Sequence, residues 1–132
     1  MNESMTLSVV IPVYDEHATI LELLRRVAHH PEVYEMVIVD DCSADGTAEL
    51  LRQQDAEGWP ALLADAPRAL PRIVFLQHEI NQGKGCALRT GFAAATGDIF
   101  LTQDADLEYD PQDYAKLLVP LYDGRADAVY GS

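Results

Sequence analysis

Apolar residues come along this chain in short runs, separated by stretches whose apolar positions recur at helical spacing. Leu7 to Val13 is a β-branched apolar run and predicts a strand buried on both faces. Ala18 to Ala28 places Ile20, Leu23, Leu24 and Val27 on one face of a helix, which stops at His29-His30 ahead of Pro31. Glu35 to Asp40, through Met36-Val37-Ile38-Val39, predicts a second strand. A polar turn from Asp41 to Gly46 follows, with Ser43 or Asp45 as candidate cap of a helix reaching about Ala56. The stretch from Gly58 to Pro71, punctuated by Pro60, Pro67 and Pro71, reads as a surface excursion. Within it a short helix is expected around Ala61 to Ala64, with Trp59 as a packing anchor. Arg72 to Gln77 predicts a third strand, and Gly83-Lys84-Gly85 opens a helix from Cys86 to Ala95, with Gly97 in the C′ position. Asp98 to Gln103 is the fourth predicted strand. Pro111 near N1 begins a helix to Tyr122, and Ala126 to Tyr130 is the fifth strand.

Strands separated by helices imply βαβ units, hence a mostly parallel, Rossmann-like α/β sheet between two helical layers. Crossovers in such sheets are right-handed, and ligands bind beyond the carboxyl ends of the strands. The loops after the first, second and fourth strands are Tyr14-Asp15-Glu16, Asp41-Cys42-Ser43 and Asp104-Ala105-Asp106. They are expected to gather on one edge.

A length of 132 residues fits a single domain, residues 1–132. Charge narrows the partners: 22 acidic against 9 basic residues give a net −13, which excludes nucleic acid as a partner and disfavours a simple electrostatic grip on anionic lipid. A polyanionic ligand then needs a metal or a few well-placed cations. Cys42 and Cys86 lack CxxC spacing and are expected to be reduced thiols. Met1-Asn2-Glu3-Ser4 shows no basic signal-peptide start, and no apolar run is long enough to cross a bilayer.

Asp104-Ala105-Asp106 carries the sharpest chemical signal. In extended chain, residues i and i+2 point the same way, so two hard oxygen donors can share a divalent cation with a diphosphate, and Mg²⁺ and Mn²⁺ favour that sharing. Glu108 continues the spacing as a third candidate ligand; the plainer alternative is a solvated acidic loop. Asp40-Asp41 ends the second strand, where an acid often meets a nucleoside, although a turn or cap role explains it equally well. The GxGxxG fingerprint is absent after the first strand, against an NAD or FAD site. Gly83-Lys84-Gly85 is no Walker A loop, but Lys84 could counter a phosphate. No histidine sits in a metal-binding frame, and no nucleophile elbow is present.

These motifs together resemble family 2 glycosyltransferases, most closely the branch with dolichol-phosphate mannose synthase and bacterial polyprenyl-phosphate sugar transferases. The matching stretches are Val10 to Glu16, Val37 to Thr47, Asn81 to Gly91, Ala95 to Asp98, Gln103 to Pro111 and Val129 to Ser132. The resemblance implies a GT-A fold and sugar transfer from a UDP- or GDP-sugar. It implies that Pro12, Tyr14 and Glu16 contact the nucleotide and that Asp41, with Asp40 beside it, reads the base. Lys84 would be the nucleotide-side cation, and Asp104, Ala105 and Asp106 the metal-binding DxD. Glu108 stands where relatives often carry Gln, and Cys42 where they carry a small Gly. The chain stops where relatives continue into the acceptor half. The expectation is therefore the nucleotide-sugar-binding part of a GT-A domain, truncated at its C-terminus, with acceptor-side catalytic groups beyond Ser132.

The expected reaction is inverting displacement at the anomeric carbon with Mg²⁺ or Mn²⁺ assistance and a polyprenyl phosphate acceptor at a membrane. The expected location is cytoplasmic, peripheral at the cytoplasmic membrane face in the full-length protein, and an open sheet edge would favour homo-oligomers. A binding-only fragment is the main alternative. A phospho-receiver module fits worse, because its acidic pair belongs on the first strand and the third strand lacks a phosphorylatable Asp. A DxD phosphohydrolase would carry its nucleophile after the first strand.

Overall fold

A computed structural model describes residues 6–103 and 128–130. Among the described residues nine elements follow one another: β1 (Leu7–Val13), α1 (Ile20–His29), β2 (Val33–Asp40), α2 (Thr47–Glu57), α3 (Pro60–Leu63), β3 (Arg72–Gln77), α4 (Lys84–Ala94), β4 (Ile99–Thr102) and β5 (Ala128–Tyr130). The strands form one sheet in the order β3-β2-β1-β4-β5, and every pairing is parallel. The α/β expectation holds, and so do the three layers. Leu7, Val9, Ile11 and Val13 of β1 face a core shared with Ile20, Leu23, Leu24 and Val27 of α1 and Leu51 of α2. Alternate residues Val10, Val37 and Val39 face the opposite side, where Ala87 of α4 covers them. Because both faces are buried, the strands read as continuous apolar runs rather than alternating ones.

The strands β1 and β3 match their predicted limits, while other ends move. α1 starts at Ile20, after a turn in which the Glu16 carbonyl accepts the Thr19 and Ile20 N–H groups. It ends at His29, because His30 is extended ahead of Pro31. Neither Ser43 nor Asp45 is the N-cap of α2; Gly46 is, at φ 95°, and Asp45 instead accepts the Thr47 N–H and hydroxyl. Gly97 is not the C′ residue of α4, whose C-cap is the extended Ala95. Its role is close approach: a Cβ there would stand 2.5 Å from Ser8 Oγ and 3.0 Å from the Thr6 carbonyl. The excursion after α2 is more than surface. Trp59 and Leu62 are buried in the larger core, the indole N–H donates to Asp55, and His29 Nε2 meets the Leu62 carbonyl at 2.7 Å.

A buried polar knot closes the amino-terminal end of the sheet. Glu35 on β2 is fully buried and accepts the Ser8 hydroxyl (2.7 Å), the Thr96 N–H (2.8 Å) and the Thr96 hydroxyl (3.0 Å), with Arg72 Nε at 3.4 Å. Ser8 Oγ in turn accepts the Gly97 N–H at 2.9 Å, so the turn leading into β4 is tied to β1 and β2. Burial pushes the Glu35 carboxyl up, but the Thr96 N–H, the two hydroxyls and Arg72 outweigh it and hold it below its ordinary value. Both cysteines are free thiols, and among the described residues no helix is long and apolar enough to cross a membrane.

Candidate functional site

The sheet order reverses at β1. The chain steps from β1 to β2 to β3 on one side and then crosses to β4 on the other. The crevice outside the carboxyl ends of β1 and β4 is the switch point where open α/β sheets bind ligands. The loops after β1 and β2 are laced together there. Ser43 Oγ accepts the Asp15 N–H at 2.9 Å, Asp15 Oδ1 accepts the Ala44 N–H at 2.7 Å, and Asp45 Oδ2 accepts the His17 N–H at 3.2 Å. Asp15 and Cys42 hold left-handed backbone at φ 51° and 63°, a conformation unusual for residues with a Cβ and often kept at ligand-binding loops.

The two adjacent aspartates divide their work. Asp40 is buried, and its oxygens accept the Ser43 N–H (3.0 Å) and hydroxyl (2.6 Å), so it holds the turn rather than facing solvent. Asp41 Oδ1 accepts the Gln82 N–H and His78 Nδ1, both at 2.8 Å, while Oδ2 accepts the Gly83 N–H at 2.8 Å. Its backbone carbonyl takes the Asn81 amide. Burial raises the Asp41 carboxyl, but these donors overcome it and hold it below the usual carboxylate range.

Among the other predicted residues, Pro12 is half-buried near the end of β1, Tyr14 is exposed just beyond it, and Glu16 is half-buried with Oε2 3.4 Å from the Thr19 hydroxyl. The Asp15 carboxylate raises the Tyr14 phenol, a sign of the negative field along this edge. Lys84 is the first residue of α4, at the positive end of that helix and directly after Gly83. β4 delivers the chain to the same edge, where the buried Gln103 donates its N–H to the Val10 carbonyl at 3.0 Å. Asp104, Ala105, Asp106 and Glu108 follow immediately and lie outside the described residues, as does the predicted helix from Pro111. Among the described residues no group of three or more His, Cys, Asp or Glu side chains could hold a metal.

His78 is the residue that sequence reasoning passed over. It follows the end of β3, is buried, and bridges Asp41 to the Thr90 hydroxyl on α4, with Nε2 at 2.9 Å. Its only signal in the sequence was its place, directly after a strand's carboxyl end.

This parallel sheet reversing at β1 is shared with solved glycosyltransferases of the GT-A fold. A mannosyltransferase of Pyrobaculum calidifontis, solved with GDP-Man and Mn²⁺, superposes with TM-score 0.68 and 28% identity, over 89% of this chain and 33% of that one. Glucosyl-3-phosphoglycerate synthase of Mycobacterium tuberculosis, solved with Mn²⁺, UDP and glucosyl-3-phosphoglycerate, gives 0.61 and 27%, over 89% of this chain and 40% of that one. The chain belongs to glycosyl transferase family 2, whose family model matches residues 8–132. Curated relatives include the undecaprenyl-phosphate 4-deoxy-4-formamido-L-arabinose transferase of Pseudomonas savastanoi pv. phaseolicola, 36% identical over 115 residues, 84% of this chain and 31% of that relative. The enzyme of the same name from Klebsiella pneumoniae is 34% identical over 122 residues, 89% of this chain and 34% of that relative. The chain thus spans about a third of the length of the curated relatives it matches.

Proposed function

We propose that residues 1–132 form the nucleotide-sugar-binding part of a GT-A glycosyltransferase that moves a sugar from a UDP- or GDP-sugar to a polyprenyl phosphate at a membrane surface, with inversion. The observation that carries this reading is the convergence on one edge of the loops after β1, β2 and β3, with Asp15 tied to Ser43 and Asp41 to Gln82 and Gly83, beside the end of β4 at Gln103. Support for the donor comes from the solved relatives, bound to GDP-Man in one case and UDP in the other. Support for the acceptor comes from the curated relatives, named as undecaprenyl-phosphate transferases.

In this reading Pro12, Tyr14 and Glu16 line the nucleotide on the β1 side, Asp41 meets the base, and Lys84 opposes the charge of the diphosphate. Asp104, Asp106 and Glu108, with Ala105 between, would hold Mg²⁺ or Mn²⁺; an all-oxygen, anionic donor set suits either ion. Such a cation supplies Lewis-acid stabilisation of the departing diphosphate. A polyprenyl phosphate oxygen is anionic at neutral pH and can attack the anomeric carbon from the face opposite the diphosphate. That attack inverts the centre without a general base.

Thermal unfolding with UDP or GDP, each with and without Mn²⁺, tests the reading. A ligand at about 100 times its Kd adds about 2.7 kcal/mol to stability, and Asp106→Ala should remove the metal-dependent part. A cooperatively folded chain that no nucleotide stabilises would count against a donor site here.

A further inference from the structure

We propose that His78 sets nucleobase selectivity, by leaving Asp41 a single acceptor position suited to the one imide N–H of uracil and unsuited to the two-donor edge of guanine. The inference rests on the donor-site reading above and deepens it. An ionised carboxylate offers about four acceptor positions, two on each oxygen. On Asp41, Oδ1 is filled by the Gln82 N–H and by His78 Nδ1, and Oδ2 holds one donor, the Gly83 N–H. The remaining position is on Oδ2. The Asp41 side chain keeps 6% of its surface exposed, and Asp41 directly follows the carboxyl end of β2.

Bases differ in what they bring to such a group. Guanine presents N1–H and the N2 amine side by side, and pairing both with a carboxylate requires a free position on each oxygen. Uracil presents one donor, N3–H, flanked by carbonyls. Cytosine presents a bare N3 lone pair, which a carboxylate repels. With Oδ1 full, Asp41 satisfies uracil's one donor completely, only one of guanine's two, and cytosine's N4 amine only with the bare N3 set beside the charge. His78 is a positioning residue in this scheme: it is 9% exposed, and Thr90 Oγ1 at Nε2 holds the ring against Asp41. The two backbone donors come with the β3–α4 loop, so His78 is the side chain whose removal would reopen Oδ1.

The test is titration of the 132-residue chain with UDP, GDP and CDP in the presence of Mn²⁺. A hydrogen bond to a charged group sets the expected preference for UDP over each of the others at about tenfold or more. His78→Ala should cut the UDP-to-GDP ratio at least about fivefold, within what one such bond is worth. His78→Asn, whose amide nitrogen can stand in for Nδ1, should restore the ratio. A purely structural role would weaken all three nucleotides together and leave the ratio alone, which overturns the proposal. So does equal binding of UDP, GDP and CDP by the wild type, a result that leaves the donor site standing and stays decisive even if His78→Ala fails to fold. If the folded chain binds no nucleoside diphosphate, the donor-site reading falls, and this inference with it.

Discussion

His78 Nδ1 lies 2.8 Å from Asp41 Oδ1, joining the residue after β3 to the residue after β2. Both are buried, and an ionised carboxylate only accepts, so Nδ1 carries the shared proton. In the neutral ring Nε2 is then left to accept from the Thr90 hydroxyl. One side chain thereby fixes β2, β3 and α4 relative to one another at the edge where the loops converge.

The charge of Asp41 should be worth stability at neutral pH. Its carboxyl is pushed up by burial but held below the ordinary range by Gln82, His78 and Gly83. A carboxyl lowered by folding stabilises above its unfolded pKa, about 3.9, and that stabilisation is lost as pH falls through the folded value. Asp41→Asn is expected to cost about 2 kcal/mol at pH 7, with the gap to wild type narrowing below about pH 4. Urea unfolding from pH 7 to pH 3 measures both. A gap that does not change with pH would mean that shape, not charge, does the stabilising.

How far the sequence predicts this site depends on whether the signal is local. β1 and β3 are legible to the residue because β-branched runs bounded by polar residues admit little else. The start of α4 is blurred, since Lys84-Gly85 carries no apolar periodicity and the helix begins at Lys84 with Gly83 as its N-cap. Asp40 and Asp41 are legible as an acidic strand end, but not their division of labour, because Asp40 closes β2 onto Ser43 of its own turn while Asp41, one residue beyond, meets the distant β3–α4 loop. The Asp41–His78 pair spans 37 residues and leaves no periodic trace. Glu35 reads as a polar strand terminus, and only the folded sheet shows it buried beneath Thr96.

Glu35 should be among the most sensitive polar positions in the chain. Truncation would leave the Ser8 hydroxyl and the Thr96 N–H without their acceptor inside the sheet's amino-terminal end. A buried donor left without its acceptor costs about 1–3 kcal/mol, whereas removing both partners together costs less. Glu35→Ala should therefore lower stability by about 3 kcal/mol, and adding Ser8→Ala should cost less than the sum of the two single changes. Chemical denaturation of the two singles and the double closes the cycle; strict additivity would show that Ser8 and Glu35 are not coupled.

Gly91 governs how closely α4 sits on the sheet. A Cβ there would collide with Val10 Cγ1 and meet Val39 Cγ2 at 3.4 Å. Overpacking of this kind costs about 1–3 kcal/mol. Gly91→Ala should destabilise within that range, and Val10→Ala in the same chain should recover part of the loss by vacating the space. A Gly91→Ala chain as stable as wild type would mean that α4 can lift off β1 freely.

The acidic surface makes a prediction about salt that separates metal-free from metal-loaded binding. The net charge is −13, and Asp15 and Asp45 stand exposed beside the crevice. A diphosphate arriving without a metal meets this field with Lys84 as the cation already assigned to it. Raising ionic strength from about 0.01 to 0.15 M shortens the Debye length from about 30 to 8 Å. In EDTA, therefore, UDP affinity should rise several-fold over that range. With Mn²⁺ saturating, the cation and its carboxylates carry the contact at short range, where screening is weak, and the dependence should flatten or reverse. Titrations at four salt concentrations, with EDTA and with Mn²⁺, give the two slopes. If affinity in EDTA instead falls with salt, then Lys84 and the positive end of α4 outweigh the surrounding acids, and the metal is not needed to overcome repulsion.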